Sequence, residues 1–271
     1  MKQLFIIESD VDGESWKKYQ SSSDKWKRTF DPKSADGFLI IDNTAIIDDN
    51  RKKILFLSEP LGIRPHAFKL LTHQDFTSKF DLIGTCHARF CDNKKIVKVN
   101  PSVAVAVDDS FHTKKTGMAS MIFSNKTYSY GHKLRFFIAK QMENVEGISK
   151  YGEMFNNKID IKTDGLAKYR FHFAIENCSE PGYYTEKIND CFYSGTIPIY
   201  YGDPEIGKVY NTDGIIFLND FRPEMLSEKY YDSKRKAIEE NYSIVKQVIK
   251  TNNMFDPINK LIEMAYENSS S

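Results

Sequence analysis

Apolar residues recur along the first half of the chain in short, sharply bounded runs: LFII at 4–7, FLII at 38–41, ILFL at 54–57, FDLIG at 80–84 and IVKV at 96–99. Charge, Gly or Asn closes each run, and each has the length of a strand rather than of a helix. Unbroken runs of this kind are what strands buried on both faces of a parallel sheet require. Polar stretches such as 65–79 are long enough for crossovers, whereas residues 8–37, rich in Ser, Asp and Lys, carry only a weak helical signal. In NPSVAVAVDDSFHTKKTG (100–117) the composition turns to Pro, small residues and charge, which marks a domain boundary.

The second half is more periodic. ASMIFSN (119–125), YRFHFAIEN (169–177), IPIYY (197–201) and GIIFL (214–218) read as strands. Leu134, Phe137, Ile138, Met142 and Val145 share one helical face, stopped by Gly147; Ile188, Cys191, Phe192 and Gly195 share another. Closing helices are predicted near 233–250, with Ile238, Tyr242, Val245 and Ile249 on one face, and at 256–267. Strands alternate with helices in both halves. The expectation is an α/β chain of two Rossmann-like domains facing a cleft, an N-terminal one over 1–110 and a C-terminal one over 111–271.

Composition narrows the function. The 271 residues suffice for two modest domains, and 41% hydrophobic and 13% aromatic residues can fill their cores. With 38 basic and 37 acidic residues the net charge is +1, which argues against nucleic-acid binding driven by bulk charge. The start, MKQLFIIESD, reads as a first strand rather than a signal peptide, and no run approaches the roughly 20 apolar residues of a membrane span. Cys86, Cys91, Cys178 and Cys191 have no C-x-x-C spacing and are expected to be reduced thiols, in a soluble, cytoplasmic protein. No two glycines lie two apart, so G-x-G-x-x-G is missing, and Walker A, H-E-x-x-H and G-x-S-x-G are missing too. Asp10 and Asp12 form a D-x-D that reads as a structural turn, and the six histidines are scattered; no metal is expected.

Chemistry concentrates in YYTEKINDCFYSGTIPIYYGDP (183–204). A strand ends at Glu176-Asn177 and a helix begins near Thr185, so Glu176 and Glu186 can face one crevice beyond a carboxyl strand end, where ligands of parallel sheets collect. A helix start offers N–H groups to phosphate oxygens, Lys187 adds a full charge, and Glu186 can accept from hydroxyls. On spacing alone a second reading stands beside this one: Glu186 complements the helix dipole and Lys187 is solvated.

The register F-x-x-x-x-E-N, then Y-x-T-E-K, then a helix leading to G-x-x-P-I-x-x-G over 169–211 resembles the signature of the α-1,3/α-1,4-fucosyltransferases, glycosyltransferase family 10. Phe171, Glu176, Asn177, Tyr183, Thr185, Glu186, Lys187, Pro198, Gly202 and Pro204 carry it. A looser likeness takes in ASMIFSN and its Asn125, and LNDF at 218–221. The resemblance implies a GT-B-like fold and inverting transfer of L-fucose from GDP-fucose to a glycan hydroxyl, without a metal. It implies that Glu186 holds the donor sugar and Lys187 the diphosphate, with Asn125, Glu176, Asn177, Tyr183 and Thr185 shaping the donor pocket. The family's basic residue after the S-N strand falls to Lys133 or Arg135. Its general base is a Glu in G-E-N at a strand end, which implies Glu59 in Ser58-Glu59-Pro60; Glu8, ending the first predicted strand, is next in line. Two alternatives stay open: the same fold using a UDP-sugar such as UDP-xylose, as in exostosin-like enzymes, or a non-catalytic carbohydrate- or nucleotide-binding module.

Overall fold

The five apolar runs of the first half are strands in the computed structural model, which describes residues 1–8, 26–92, 94–99, 105–251 and 256–267. They form β1 (Lys2–Glu8), β3 (Gly37–Ile41), β4 (Lys52–Leu57), β5 (Leu82–Thr85) and β6 (Ile96–Lys98), with β2 (Trp26–Thr29) arising from the stretch that carried only a weak helical signal. All pair in parallel, in the order β2-β1-β3-β4-β5-β6. Successive side chains of a strand leave opposite faces, and here both faces are covered. Leu39, Ile41, Ile54 and Phe56 enter one core. Phe38, Ile40, Leu55 and Leu57 enter the other, beneath α1 (Pro65–Leu70) and α2 (Gln74–Thr77). That double burial is why the runs do not alternate with polar residues.

A second parallel sheet is built from β7 (Gly117–Ile122), β8 (Ile148–Tyr151), β9 (Tyr169–Ile175), β10 (Ile197–Tyr201) and β11 (Ile216–Phe217), in the order β11-β10-β9-β7-β8. Its helices are α3 (Tyr130–Gln141), α4 (Glu186–Tyr193), α5 (Glu228–Ser233) and α6 (Arg235–Thr251). Phe171, Phe173, Ile175, Ile197 and Ile199 fill one face of this sheet, while Ala174 and Tyr200 pack the other against Ile188, Cys191 and Phe192 of α4. From β7 the chain moves outward to β8 and then returns to β9 on the other side of β7, so the winding direction reverses between β7 and β9. In the first sheet the reversal lies between β1 and β3. Crevices open beyond the carboxyl ends of strands at such reversals.

Three expectations need correction. The compact units are Met1–Pro101 with Met254–Ser271, and Ser102–Asn253, rather than 1–110 and 111–271. The closing helix α7 (Asp256–Glu267) belongs with the first sheet: Ile258, Leu261, Ile262 and Ala265 are buried in its core, and Trp26 donates its indole N–H to Asn259 at 2.7 Å. α3 stops at Gln141 instead of continuing to Gly147, and Phe137, expected inside, is 61% exposed. Ile138 is buried and Leu134 and Met142 pack on the same core, as expected, but the helix also buries Gly131, His132 and Arg135, because that side meets the polar end of β9. The strand expected over 119–125 ends at Ile122, which releases Phe123, Ser124 and Asn125 into the loop above the sheet edge.

The packing of α7 yields a stability prediction. Leu261 is fully buried, and a β-carbon added at Gly84 would come within 2.8 Å of its Cδ2, so the fit is tight. Leu261→Ala is expected to cost about 2–5 kcal/mol, read as a lowered urea midpoint for the first unit. A change within ~0.5 kcal/mol would mean that α7 does not hold this sheet.

Candidate active site

Beyond the carboxyl ends of β7 and β9 lies a cavity of about 250 Å³, lined by Ser124, Arg135, Lys162, His172, Ile175 and Lys187 among others. β9 runs straight into Glu176, whose backbone N–H extends the ladder to the carbonyl of Tyr201 at 2.8 Å. The side chain of Glu176 is fully buried. Its Oε1 accepts the Thr185 N–H at 2.8 Å, the Thr185 hydroxyl lies 2.8–2.9 Å from both oxygens, and Lys187 Nζ reaches Oε2 at 3.2 Å. Thr185 is the N-cap of α4, and its Oγ1 also accepts from Lys187 Nζ at 2.9 Å. One carboxylate thus ties the strand end, the helix start and a cation together.

Close backbone approach makes room for this knot. A β-carbon at Gly131, in the first turn of α3, would sit 1.9 Å from the Glu176 carbonyl oxygen. At Gly202 it would sit 2.7 Å from Glu176 Cγ. From α3, the buried Arg135 guanidinium donates to the Ile175 carbonyl, with Nη2 at 2.6 Å, and to Asn177 Oδ1 at 3.0 Å.

Glu186, the first residue of α4, stands 3.5 Å from Lys187 Nζ and 3.6 Å from Lys162 Nζ. Burial alone would push its carboxyl upward, but the two ammonium groups, Lys187 before Lys162, bring it down to about 2. Burial works against the charge on Lys187 as well, yet Glu176 and then Glu186 raise it above the usual lysine value. Lys162 also forms a 2.6 Å ion pair with Asp190, whose side chain is fully buried.

Most of the residues expected at the donor site therefore come together. Arg135, Glu176, Asn177, Thr185, Glu186 and Lys187 form one connected group, and Tyr183, 2% exposed, is packed in the loop leading to it. Between the two basic candidates on α3, Arg135 lines the cavity and Lys133 is exposed; Asn125 is exposed as well. Lys162 and Asp190 were missed. Lys162 lies outside the signature, and Asp190 inside α4 gives no local sign of burial.

In the first unit, Glu59 follows the end of β4 on a turn held by Asp42. Asp42 follows β3 with φ +48°, and its Oδ1 accepts the N–H groups of Ser58 at 2.9 Å and Glu59 at 3.0 Å, while Oδ2 takes the Ser58 hydroxyl. Burial raises the Asp42 carboxyl despite these donors and Arg64 nearby. Sequence reasoning missed Asp42, whose only signal is its place just past an apolar run. Glu8 ends β1. Asp10 and Asp12 lie outside the described residues. Among the described residues no three His, Cys, Asp or Glu side chains gather as a metal site, and no helix is long and apolar enough to cross a membrane.

Residues 112–243 match the family model of glycosyltransferase family 10 (fucosyltransferase), C-terminal domain. The α-(1,3)-fucosyltransferase FucT of Helicobacter pylori is 30% identical over 126 residues, which cover 45% of this chain and 26% of that protein. The chain therefore spans about a quarter of that relative's length. A solved α1,3-fucosyltransferase superposes with a TM-score of 0.62 at 14% identity, covering 94% of this chain and 91% of that one. An α1,3-fucosyltransferase solved with GDP-fucose gives a TM-score of 0.54 at 17% identity, covering 98% and 82%. The fold is of the GT-B class.

Two buried imidazoles, His172 in the cavity lining and His132 on α3, give a pH prediction. His132 Nδ1 lies 2.5 Å from Ser129 Oγ, and burial followed by Arg135 lowers the imidazole to about 4. His172 Nδ1 lies 2.8 Å from Ser120 Oγ, and burial followed by Lys162 lowers it to about 3. Both folded values lie below the unfolded value of about 6.5, so the unfolded chain binds more protons between them. The stability these histidines contribute is intact above pH ~6.5 and is lost as pH falls through about 4 and then 3. In ¹⁵N NMR both rings should remain neutral at pH 5.5; titration of either near pH 6.5 would show that it is not buried as described.

Proposed function

We propose that this chain, whose residues 112–243 match the family model of glycosyltransferase family 10, transfers L-fucose from GDP-fucose to a glycan hydroxyl by inverting single displacement. The observation that carries the proposal is the gathering of Y-x-T-E-K and Arg135 at one strand end beside one cavity, Lys187 on Glu176 and Arg135 on Ile175 and Asn177. Cations, a hydroxyl-accepting carboxylate and a helix start stand together there, which is what a sugar diphosphate needs.

In the proposed reaction the acceptor oxygen attacks the anomeric carbon from the face opposite GDP. The new C–O bond forms as the bond to the β-phosphate oxygen breaks, and GDP leaves with the electron pair. Glu59 takes the acceptor proton. Positive charge grows on the sugar, where Glu186 stabilises it; negative charge grows on the diphosphate, where Lys187, Arg135 and the start of α4 do so. Asn177, Tyr183 and Thr185 shape the donor pocket. With these cations supplied by the chain, the diphosphate asks for no metal ion.

Calorimetry with GDP tests the donor half. The wild type should bind GDP in preference to UDP, and Lys187→Ala should weaken GDP by about 10-fold or more, since a charge-assisted contact is worth ~1.5–3 kcal/mol. Equal binding of UDP would count against a guanosine donor, and unchanged affinity would remove Lys187 from the diphosphate.

The acceptor half rests on Glu59. Glu59→Gln preserves shape but cannot take a proton, so turnover should fall about 10²–10⁴-fold with GDP affinity unaltered. Glu186→Gln should instead weaken the sugar nucleotide while sparing bare GDP. Near wild-type turnover for Glu59→Gln would exclude it as the base and direct attention to Glu8.

A further inference from the structure

Lys162 lines the donor cavity from outside the signature. It enters on a single 3-10 turn, Lys162–Gly165, that precedes β9. Its Nζ sits between two carboxylates of α4, 2.6 Å from Asp190 and 3.6 Å from Glu186. Residues four apart share a helix face, so without a cation between them Glu186 and Asp190 would repel each other across one turn.

The two lysines near Glu186 are anchored differently. Lys187 has Glu176 at 3.2 Å and the Thr185 hydroxyl at 2.9 Å, both nearer than Glu186 at 3.5 Å. Lys187 is thus tied to the Glu176 and Thr185 side of Glu186, where a bound diphosphate would share its charge. Lys162 is held on the other side. Its partner Asp190 is fully buried, and the other Asp190 oxygen is fixed by the Ala106 N–H at 2.6 Å. Leaving Asp190 unpaired in the interior would cost several kcal/mol, so Lys162 stays in place whatever enters the cavity.

We infer that Lys162 is a positioning residue for Glu186: anchored on Asp190, it keeps the Glu186 carboxylate aimed at the donor sugar while Lys187 serves the diphosphate. This rests on the donor assignment proposed above. It divides the labour of the two ammonium groups, both anchored on buried carboxylates, and the one that serves Glu186 comes from an element the signature does not include.

The test compares Lys162→Met, Lys162→Arg and the double variant Lys162→Met/Asp190→Asn. The last removes the ion pair as a unit, so no charge is stranded if Lys162→Met alone fails to fold. With GDP-fucose and a glycan acceptor, kcat of the double variant should fall about 10- to 100-fold, the range expected when a reacting geometry loosens by about an ångström. Affinity for bare GDP should stay within about 2-fold, and Lys162→Arg should recover most of the rate. On a Glu186→Gln background the same change should add nothing further, since residues acting through one group are not additive. Full turnover of the double variant, or an undiminished loss on the Glu186→Gln background, would overturn the inference. A second readout does not depend on turnover. By ¹³C NMR, with Glu186→Gln to assign the signal, the Glu186 carboxyl should titrate well above its wild-type value of about 2 in the double variant. An unmoved titration overturns the role of Lys162 even if the chain transfers another sugar. Failure of the wild type to bind GDP, with the carboxyl shifted as expected, would sink the donor assignment and leave the Lys162–Glu186 coupling standing.

Discussion

A fully buried carboxylate left without donors would cost the fold several kcal/mol, and Glu176 is fully buried at the end of a central strand. The second unit is arranged around meeting that demand. The Thr185 N–H and hydroxyl and the Lys187 ammonium all converge on it, so the loop from 177 to 184 must bring α4 back to the strand from which the chain has just left. Gly131 and Gly202 leave space where any side chain would push the carboxylate or its backbone aside. The position of Lys187 is therefore settled by folding, before any ligand arrives. Preorganised charge of this kind needs no rearrangement when a charged group binds, which is the condition under which electrostatic stabilisation is largest.

Arg135 is fixed at the same strand end by other acceptors. Its guanidinium closes on the Ile175 carbonyl and the Asn177 side chain, on either side of Glu176 in sequence. α3 turns Gly131, His132 and Arg135 toward the strand end while Ile138, with Leu134 and Met142 beside it, packs on the core; Phe136 and Phe137 are left outside, 39% and 61% exposed. One helix thus places a cation at the strand reversal and covers part of the sheet.

Packing also explains what could be read from the sequence. FLII, ILFL and IPIYY were legible as strands because sheets covered on both faces leave unbroken apolar runs. β2 was not, since Trp26 is its only buried residue and Lys27, Arg28 and Thr29 follow it. The face of α3 was read in part: Leu134, Ile138 and Met142 pack on the core, but apolar periodicity gives no sign that His132 and Arg135 are buried or that Phe137 is exposed. The apolar stripe of α7 was plain, but a stripe does not say which sheet it will cover. At the site, Glu176 through Lys187 could be found because the whole knot is local in sequence. Lys162 and Asp42 could not, because their partners are reached only through the sheet: Lys162 meets Asp190 across α4, and Asp42 meets Ser58 and Glu59 across β4.

The two units answer one problem twice. Asp42 follows the third strand of the first sheet and Glu176 the third strand of the second. Each extends the ladder with its own N–H to the next strand, Asp42 to Phe56 at 2.9 Å and Glu176 to Tyr201 at 2.8 Å. Each then turns a buried carboxylate to the N–H groups of a neighbouring loop end. The difference lies in the company they recruit. Glu176 takes an N–H, a hydroxyl and an ammonium, so its edge of the sheet gains a fixed cation. Asp42 takes two N–H groups and a hydroxyl, with burial raising its carboxyl and Arg64 the opposing charge nearby. Its edge gains a turn, and the acid on that turn is Glu59. A cation-bearing edge suits a diphosphate and a turn bearing an acid suits a proton acceptor, which is the physical ground on which the division between donor and acceptor halves is proposed.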